Sequence, residues 1–153
     1  MARKPRLYID TSAVGGVFDN FAKFNGCKEF FELVKEGIYI VLISDITTSE
    51  LQKAPKHVQD IVSNLPREFV EFCSVNDEAK TLAQKYIEAG ILTHDDVNDA
   101  EHVALATICN VNCIVSCNFK HLVKASKIAK FNSVNIANHY GLIDIRRPGD
   151  FLL

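Results

Sequence analysis

The sequence predicts an α/β fold in which helices cover both faces of a central parallel sheet of about four to five strands. Short apolar runs alternate with helical patterns, and helical segments of about 10–15 residues separate the strands, as in βαβ units. One apolar run, residues 38–44 (IYIVLIS), is nearly continuous, which is typical of a strand buried on both faces. Right-handed crossovers then place helices on both sides of the sheet, giving three α/β/α layers.

The first half of the chain carries strands and helices in alternation. The strands are predicted at residues 7–9, 38–44 and 69–75. The helices are predicted at residues 27–36, 46–53 and 55–65. Phe30, Phe31 and Val34 recur at helical spacing in the first helix, and Gly37 follows it as a stop signal. Pro55 stands at a helix start, where its missing N–H does not matter.

The second half continues the same alternation. Helices are predicted at residues 77–89, 97–109 and 119–129. A fourth strand is predicted at residues 113–116, and a further one near residues 134–136. Asn76 is a suitable N-cap for the first of these helices, and Gly90 is a suitable C-terminal stop.

Composition indicates a soluble protein of one domain, residues 1–153, with 48% apolar and 24% charged residues. No apolar segment approaches the ~20 residues that span a bilayer, and no signal-peptide pattern follows the basic N-terminus. Five cysteines without an export signal predict reduced thiols and a cytoplasmic location. A net charge of −2 excludes a polycation, so any nucleic-acid contact would use local basic patches or metal ions.

Acidic and amide side chains lie close to the ends of the predicted strands. Asp10 follows the first strand, and Glu50 comes shortly after the second. Asp99 opens the helix that leads into the fourth strand, and Asn118 follows that strand. Since ligands of open α/β sheets bind beyond the carboxyl ends of the strands, these residues are candidates for one site.

Each of these residues also has a structural interpretation. Asp10 could accept hydrogen bonds within its own turn. Glu50 lies three residues after Thr47, which is the spacing of a capping box. Asp99 is favoured in a first helical turn whatever its function, and Asn118 suits the N-cap of the following helix.

Taken together, the three carboxylates favour a metal site. Carboxylates that converge from distant parts of the chain repel each other, and a divalent cation removes that cost. Oxygen ligands without a matched set of His or Cys suit Mg²⁺ or Mn²⁺. Asp95 and Asp96 add acidity just before Asp99, as outer ligands or as solvated side chains.

Four segments carry a resemblance to a known family. "LYIDTS", "SDITTSEL", "NDAEHVALAT" and "IVSCNFKHL" resemble, in order and spacing, the acidic motifs of PIN domains. The sequence is most similar to the VapC-like toxins of type II toxin–antitoxin systems, and the resemblance covers nearly the whole chain. It includes the "NFKH" of a subgroup that has Asn118 where the general pattern has a fourth acid.

The resemblance implies a PIN-like α/β/α fold and a Mg²⁺- or Mn²⁺-dependent endoribonuclease that leaves 5′-phosphate and 3′-hydroxyl ends. It also implies a small antitoxin partner and a homodimer. By the motif match, Asp10, Glu50 and Asp99 take the metal-binding and catalytic positions, and Asn118 and Asp96 are further candidate ligands. Asn118 removes one charge, which weakens the expectation of a tightly bound second metal.

Several nearby polar residues are candidates for RNA binding. Thr11 and Ser12 could bind phosphate, or form a turn of their own. Lys120 and His121 begin a basic stretch that could hold the RNA backbone, or could be a solvated helix face.

Two other hypotheses remain open from the sequence. Asp10 could be the nucleophile of a phosphatase, although that chemistry usually needs a second acid where Ser12 stands. The chain could also be a catalytically silent PIN-like module that binds RNA or protein. His102 is interpreted as a core or interface histidine with satisfied hydrogen bonds, and the cysteines at positions 109, 113 and 117 as buried small hydrophobes.

Overall fold

A computed structural model describes residues 3–152, and within them five strands form one all-parallel sheet. The strands are β1 Arg6–Ile9, β2 Ile40–Ser44, β3 Val70–Cys73, β4 Cys113–Val115 and β5 Ile145–Arg146. Their order across the sheet is β3-β2-β1-β4-β5, so β1 is central. The predicted domain also includes residues 1, 2 and 153, which lie outside the described residues.

Seven α-helices occur in the described part of the chain and connect these strands. They are α1 Thr11–Gly15, α2 Cys27–Lys35, α3 Asp45–Leu51, α4 Lys56–Ser63, α5 Asp77–Glu88, α6 Val97–Ile108 and α7 Ala125–Ala137. Short 3-10 helices lie at Gly16–Phe18, Ala22–Phe24, Arg67–Phe69, His94–Asp96 and Pro148–Phe151. Among residues 3–152, no helix has the length and apolar character needed to cross a membrane.

Each strand places alternate side chains on opposite faces, which creates two separate cores. Tyr8 and Ile114 pack with buried residues of α5, α6 and α7 on one face. Ile9 and Val115 pack with buried residues of α1, α2 and α4 on the other. The predicted three-layer α/β/α arrangement with a parallel sheet is therefore confirmed.

The strand order places a reversal of direction at β1. From β1 the chain adds β2 and β3 on one side, and it then crosses over to add β4 and β5 on the other. In the register, Ile9 is opposite Val115, and the Asp10 amide donates to the Val115 carbonyl over 3.2 Å. The loops that follow β1 and β4 therefore leave the sheet side by side, at the position where open α/β sheets bind ligands.

Two predictions at the C-terminal end were wrong. The strand expected near residues 134–136 is part of α7, because packing favours a helix there: Asn135 is buried and accepts a hydrogen bond from the Tyr86 hydroxyl over 2.5 Å. The fifth strand is instead β5, two residues long and later in the chain. The helix expected at residues 119–129 begins only at Ala125, and turns precede it.

Candidate active site

Asp10 is buried directly beyond the end of β1, with 3% of its surface exposed. Its Oδ1 accepts from the Ser12 hydroxyl over 2.7 Å and from the Ala13 amide over 3.1 Å, so it caps α1. Its Oδ2 accepts from the Ser116 hydroxyl over 2.5 Å. A carboxylate has about four acceptor positions, and these contacts leave one of them for a further partner.

Burial raises the pKa of Asp10 above its ordinary value. The nearby His102 and the hydrogen bonds from Ser116, Ser12 and Ala13 act in the opposite direction but do not overcome desolvation. A positive charge at the remaining acceptor position would stabilise the ionised form. The turn interpretation of Asp10 is thus correct as far as local structure goes, since its side chain caps α1, and one acceptor position of the carboxylate stays open.

The loop after β4 connects Asp10 to Asp99. The Ser116 hydroxyl, which donates to Asp10, accepts from the Asn118 amide over 2.9 Å. The Asn118 side chain donates to Asp99 Oδ2 over 3.3 Å. Asn118 does not cap α7 as the sequence suggested; its Oδ1 accepts from the His121 amide over 3.1 Å within a turn.

His121 lies against the acidic residues at the start of α6. Its Nδ1 is 3.0 Å from Asp99 Oδ2 and 3.5 Å from Asp96 Oδ1. One ligand atom from each of these three side chains lies within 4.8 Å of the others, a spacing at which they could hold a metal ion. The imidazole is therefore directed at carboxylates, and Lys120 beside it is exposed to solvent.

Glu50 is half-buried in the last turn of α3. Ser44 caps this helix by accepting from the Thr47 amide over 3.2 Å, so Glu50 is not part of a capping box. Its Oε1 accepts from the Thr11 hydroxyl over 2.9 Å and lies 3.0 Å from His102 Nε2. The hydrogen bond with His102 lowers the pKa of Glu50, against the opposing effect of partial burial.

His102 is buried on α6 and is held from its other side by Tyr8. Because a carboxylate only accepts, His102 Nε2 carries the hydrogen that faces Glu50. Its Nδ1 lies 2.6 Å from the Tyr8 hydroxyl oxygen, which in turn lies 2.7 Å from the Ser44 hydroxyl oxygen. Both ring nitrogens thus have partners, as expected for a core histidine, and the ring in addition fixes the position of Glu50.

The hydroxyls next to Asp10 have internal partners. Thr11 donates to Glu50, and Ser12 donates to Asp10 while accepting from the Cys117 amide over 2.8 Å. Both side chains therefore shape the site. Ser116 and Tyr8 were not predicted as parts of the site, although the position of Ser116 at the end of a predicted strand was a usable signal.

Comparisons with known proteins match this chain by structure and not by sequence. No family model matches the sequence, and no curated protein matches it. The chain is similar to a chain in the crystal structure of VapBC2 from Rickettsia felis bound to a DNA fragment from their promoter, with a TM-score of 0.57. The match covers 92% of this chain and 98% of that chain at 15% sequence identity. The chain has a PIN-like fold. At this identity the likeness concerns the fold alone.

Proposed function

We propose that this protein is a divalent-metal-dependent endoribonuclease whose catalytic carboxylates are Asp10, Glu50 and Asp99. The observation that carries the proposal is the hydrogen-bonded connection of Asp10 through Ser116 and Asn118 to Asp99. It lies beyond the carboxyl ends of β1 and β4, where the direction of strand addition reverses.

The donor set fits a hard divalent cation. Asp10 keeps one acceptor position, and Asp99 and Asp96 add carboxylate oxygens of the kind that Mg²⁺ and Mn²⁺ bind. Asp10 and Asp99 would hold the ion. When bound, it would supply charge neutralisation for the phosphate and a lowered pKa for a coordinated water.

The chain's own groups would orient the attacking water and the RNA. Glu50 has Oε1 fixed by Thr11 and His102, and its other oxygen can accept a proton from water or hold it in line. Lys120 is exposed near the carboxylates and would bind phosphates of the RNA backbone. Ser12 and Ser116 would keep the Asp10 carboxylate in place.

We further infer that the protein is the toxin of a toxin–antitoxin pair and that it forms a homodimer. The fold likeness to a chain of a VapBC2 complex supports an antitoxin partner. The first inference is tested by looking for a small protein, encoded beside this chain, that copurifies with it. Removal of that protein should relieve the inhibition of RNA cleavage. Sedimentation of the purified chain would test the second.

The nuclease proposal is tested by incubating purified protein with structured RNAs and Mg²⁺. We expect cleavage that EDTA abolishes and that Asp10→Asn reduces by at least about 100-fold. Asp77→Asn is the matched control, because Asp77 is an exposed carboxylate at the start of α5. It should cleave like the wild type.

Two other outcomes would favour the alternative hypotheses. Metal-dependent RNA binding without cleavage, across several RNAs and without any antitoxin, would indicate a catalytically silent module. A phosphorylated Asp10 after incubation with a phosphomonoester would indicate a phosphatase.

A further inference from the structure

Two buried thiols that the proposed nuclease chemistry does not use lie in contact. Cys27 is the first residue of α2, and Cys117 lies in the loop that follows β4. Their Sγ atoms are 3.5 Å apart, and the two residues are 0% and 4% exposed. The pair therefore brings the start of α2 into contact with the loop that follows β4. In that loop, Cys117 stands between Ser116 and Asn118 of the candidate site.

We propose that Cys27 and Cys117 form a reversible disulfide upon reaction with a small hydroperoxide, and that this bond displaces the loop that holds Asp10. The inference goes beyond the proposed function, and neither the bond nor the loop movement requires that the protein cleave RNA. The burial of the two thiols excludes bulky oxidants and favours an oxidant the size of hydrogen peroxide.

The movement needed for the bond falls mainly on Cys117. A disulfide has an S–S length of about 2.05 Å, so the sulfurs must approach by about 1.5 Å. Cys27 has little room, because Gly16 packs closely on it: a Cβ at Gly16 would lie 2.8 Å from Cys27 Sγ and 2.4 Å from Phe24 Cδ1. Cys117 belongs to a loop without regular secondary structure, which adjusts more easily than the start of α2.

The position of Cys27 also suits it to react first. The hydrogen bond from Cys117 lowers the pKa of the Cys27 thiol, and the start of a helix favours a thiolate. The Cys27 thiolate attacks one peroxide oxygen, the O–O bond breaks, and the leaving oxygen takes up a proton to give an alcohol or water. The Cys117 sulfur then attacks the Cys27 sulfenic acid, forming the disulfide and releasing water. The peroxide is reduced as the two thiols are oxidised.

The same loop carries the hydrogen bonds that hold Asp10. The Cys117 amide donates to Ser12 Oγ over 2.8 Å, and Ser116 bridges Asp10 Oδ2 and the Asn118 amide. Hydrogen bonds weaken steeply outside about 2.7–3.2 Å, so a shift of about 1 Å is enough to break them. Oxidation is therefore expected to release one side of the Asp10 carboxylate and to move Asn118 away from Asp99.

The bond is tested by treating the reduced full-length protein with hydrogen peroxide, followed by thiol counting and peptide mapping. We expect two of the five thiols to be lost, a single crosslink between Cys27 and Cys117, and full recovery with dithiothreitol. Cys117→Ala and Cys27→Ala should each abolish the crosslink. Cys113→Ala is the matched control, since Cys113 is a buried thiol in β4, and it should form the bond as the wild type does.

The loop movement is tested by hydrogen exchange on the oxidised and reduced wild type. Exchange at the Cys117 and Asn118 amides should rise at least about tenfold on oxidation, because both lose their acceptors. Oxidation of Cys27 to sulfinic acid without a crosslink, or a crosslink that does not join Cys27 to Cys117, would overturn the proposal. A Cys27–Cys117 bond with unchanged exchange would overturn the displacement of the loop.

Discussion

At the scale of single residues, burial sets the behaviour of Asp10. Its folded-state pKa is raised, so the ionised form is disfavoured relative to the unfolded chain, where an aspartate has a pKa of about 3.9. Because the folded-state pKa of Asp10 is the higher one, its contribution to the free energy of unfolding is greatest below the unfolded-state pKa. That contribution is lost as the pH rises through the folded-state pKa. The charged Asp10 therefore lowers the free energy of unfolding at neutral pH.

The stability of Asp10→Asn, relative to the wild type, should thus increase as the pH rises from about 3 to about 7. The amide has no charge to desolvate, so only the wild type is penalised across this range. Urea unfolding at a series of pH values, without divalent cations, measures the difference. A wild type whose stability increases relative to Asp10→Asn as the pH rises would contradict the prediction.

A second residue-scale prediction concerns His102. His102→Ala should lower the free energy of unfolding by about 2 kcal/mol at neutral pH. This loss is smaller than that from breaking a fully buried ion pair, because the Glu50 side chain is partly exposed. The pKa of Glu50 is lowered mainly by His102, so their pairing stabilises the fold above the unfolded pKa of about 4.3 and is lost as the pH falls.

The loss in His102→Ala should therefore shrink toward acid pH in urea unfolding. His94→Ala is the control, since His94 is exposed, and it should change stability by at most about 0.5 kcal/mol. A loss of equal size at all pH values would show that packing of the ring, and not its contact with Glu50, provides the stability.

The sequence offers the carboxylates as candidates but does not show their hydrogen-bond partners. Asp10 and Glu50 are candidates from the sequence because they follow short apolar strands, and that signal is local. The contact between Glu50 and His102 depends on how α6 packs on the sheet, and the one between Asp10 and Ser116 depends on β1 and β4 being neighbours. Such contacts across the fold leave no pattern in a single sequence.

At the scale of elements, the start of α2 depends on a glycine. Gly26 has φ +89°, and a Cβ there would lie 2.5 Å from the backbone of Gly149 in the C-terminal 3-10 helix. Gly26→Ala should cost about 2–4 kcal/mol, since left-handed strain adds to a clash with a backbone that cannot rotate away.

Gly90 provides a matched comparison for this prediction. It has φ +78°, but nothing lies within 4 Å of a Cβ placed on it. Gly90→Ala should therefore show the conformational strain alone, about 1 kcal/mol. Both values follow from urea unfolding, and equal losses in the two variants would show that the approach of Gly149 has no energetic consequence.

The elements assigned incorrectly from the sequence have two physical causes, packing that overrides local preference and a strand too short to detect. Residues 134–136 contain β-branched residues and lie among turn-forming ones, a pattern that favours a strand locally. Packing decided otherwise, because Phe131 and Asn135 on α7 bury their side chains against Tyr86 of α5. β5 has two residues, which is too short for any periodic pattern to reveal it.

At the scale of the whole molecule, the sheet order brings the segments that carry the candidate residues to one edge of the sheet. β1 pairs with β2 on one side and β4 on the other, so the segments that follow all three strands open on one edge of the sheet. The α/β class could be predicted from alternating strands and helices. The order could not, since alternation does not specify on which side of β1 a later strand is added.

If this edge holds a divalent cation, the ion should stabilise the entire fold by mass action. At a free Mn²⁺ concentration about a hundredfold above its dissociation constant, linkage contributes about 2.7 kcal/mol. For a chain of this size that raises the thermal midpoint by about 5–10 °C. Asp10→Asn and Asp99→Asn should lose most of this rise, EDTA should reverse it, and Asp77→Asn should keep it. Scanning calorimetry with and without Mn²⁺ measures all four proteins in the absence of RNA. An equal rise in every variant would place the bound cation away from Asp10 and Asp99.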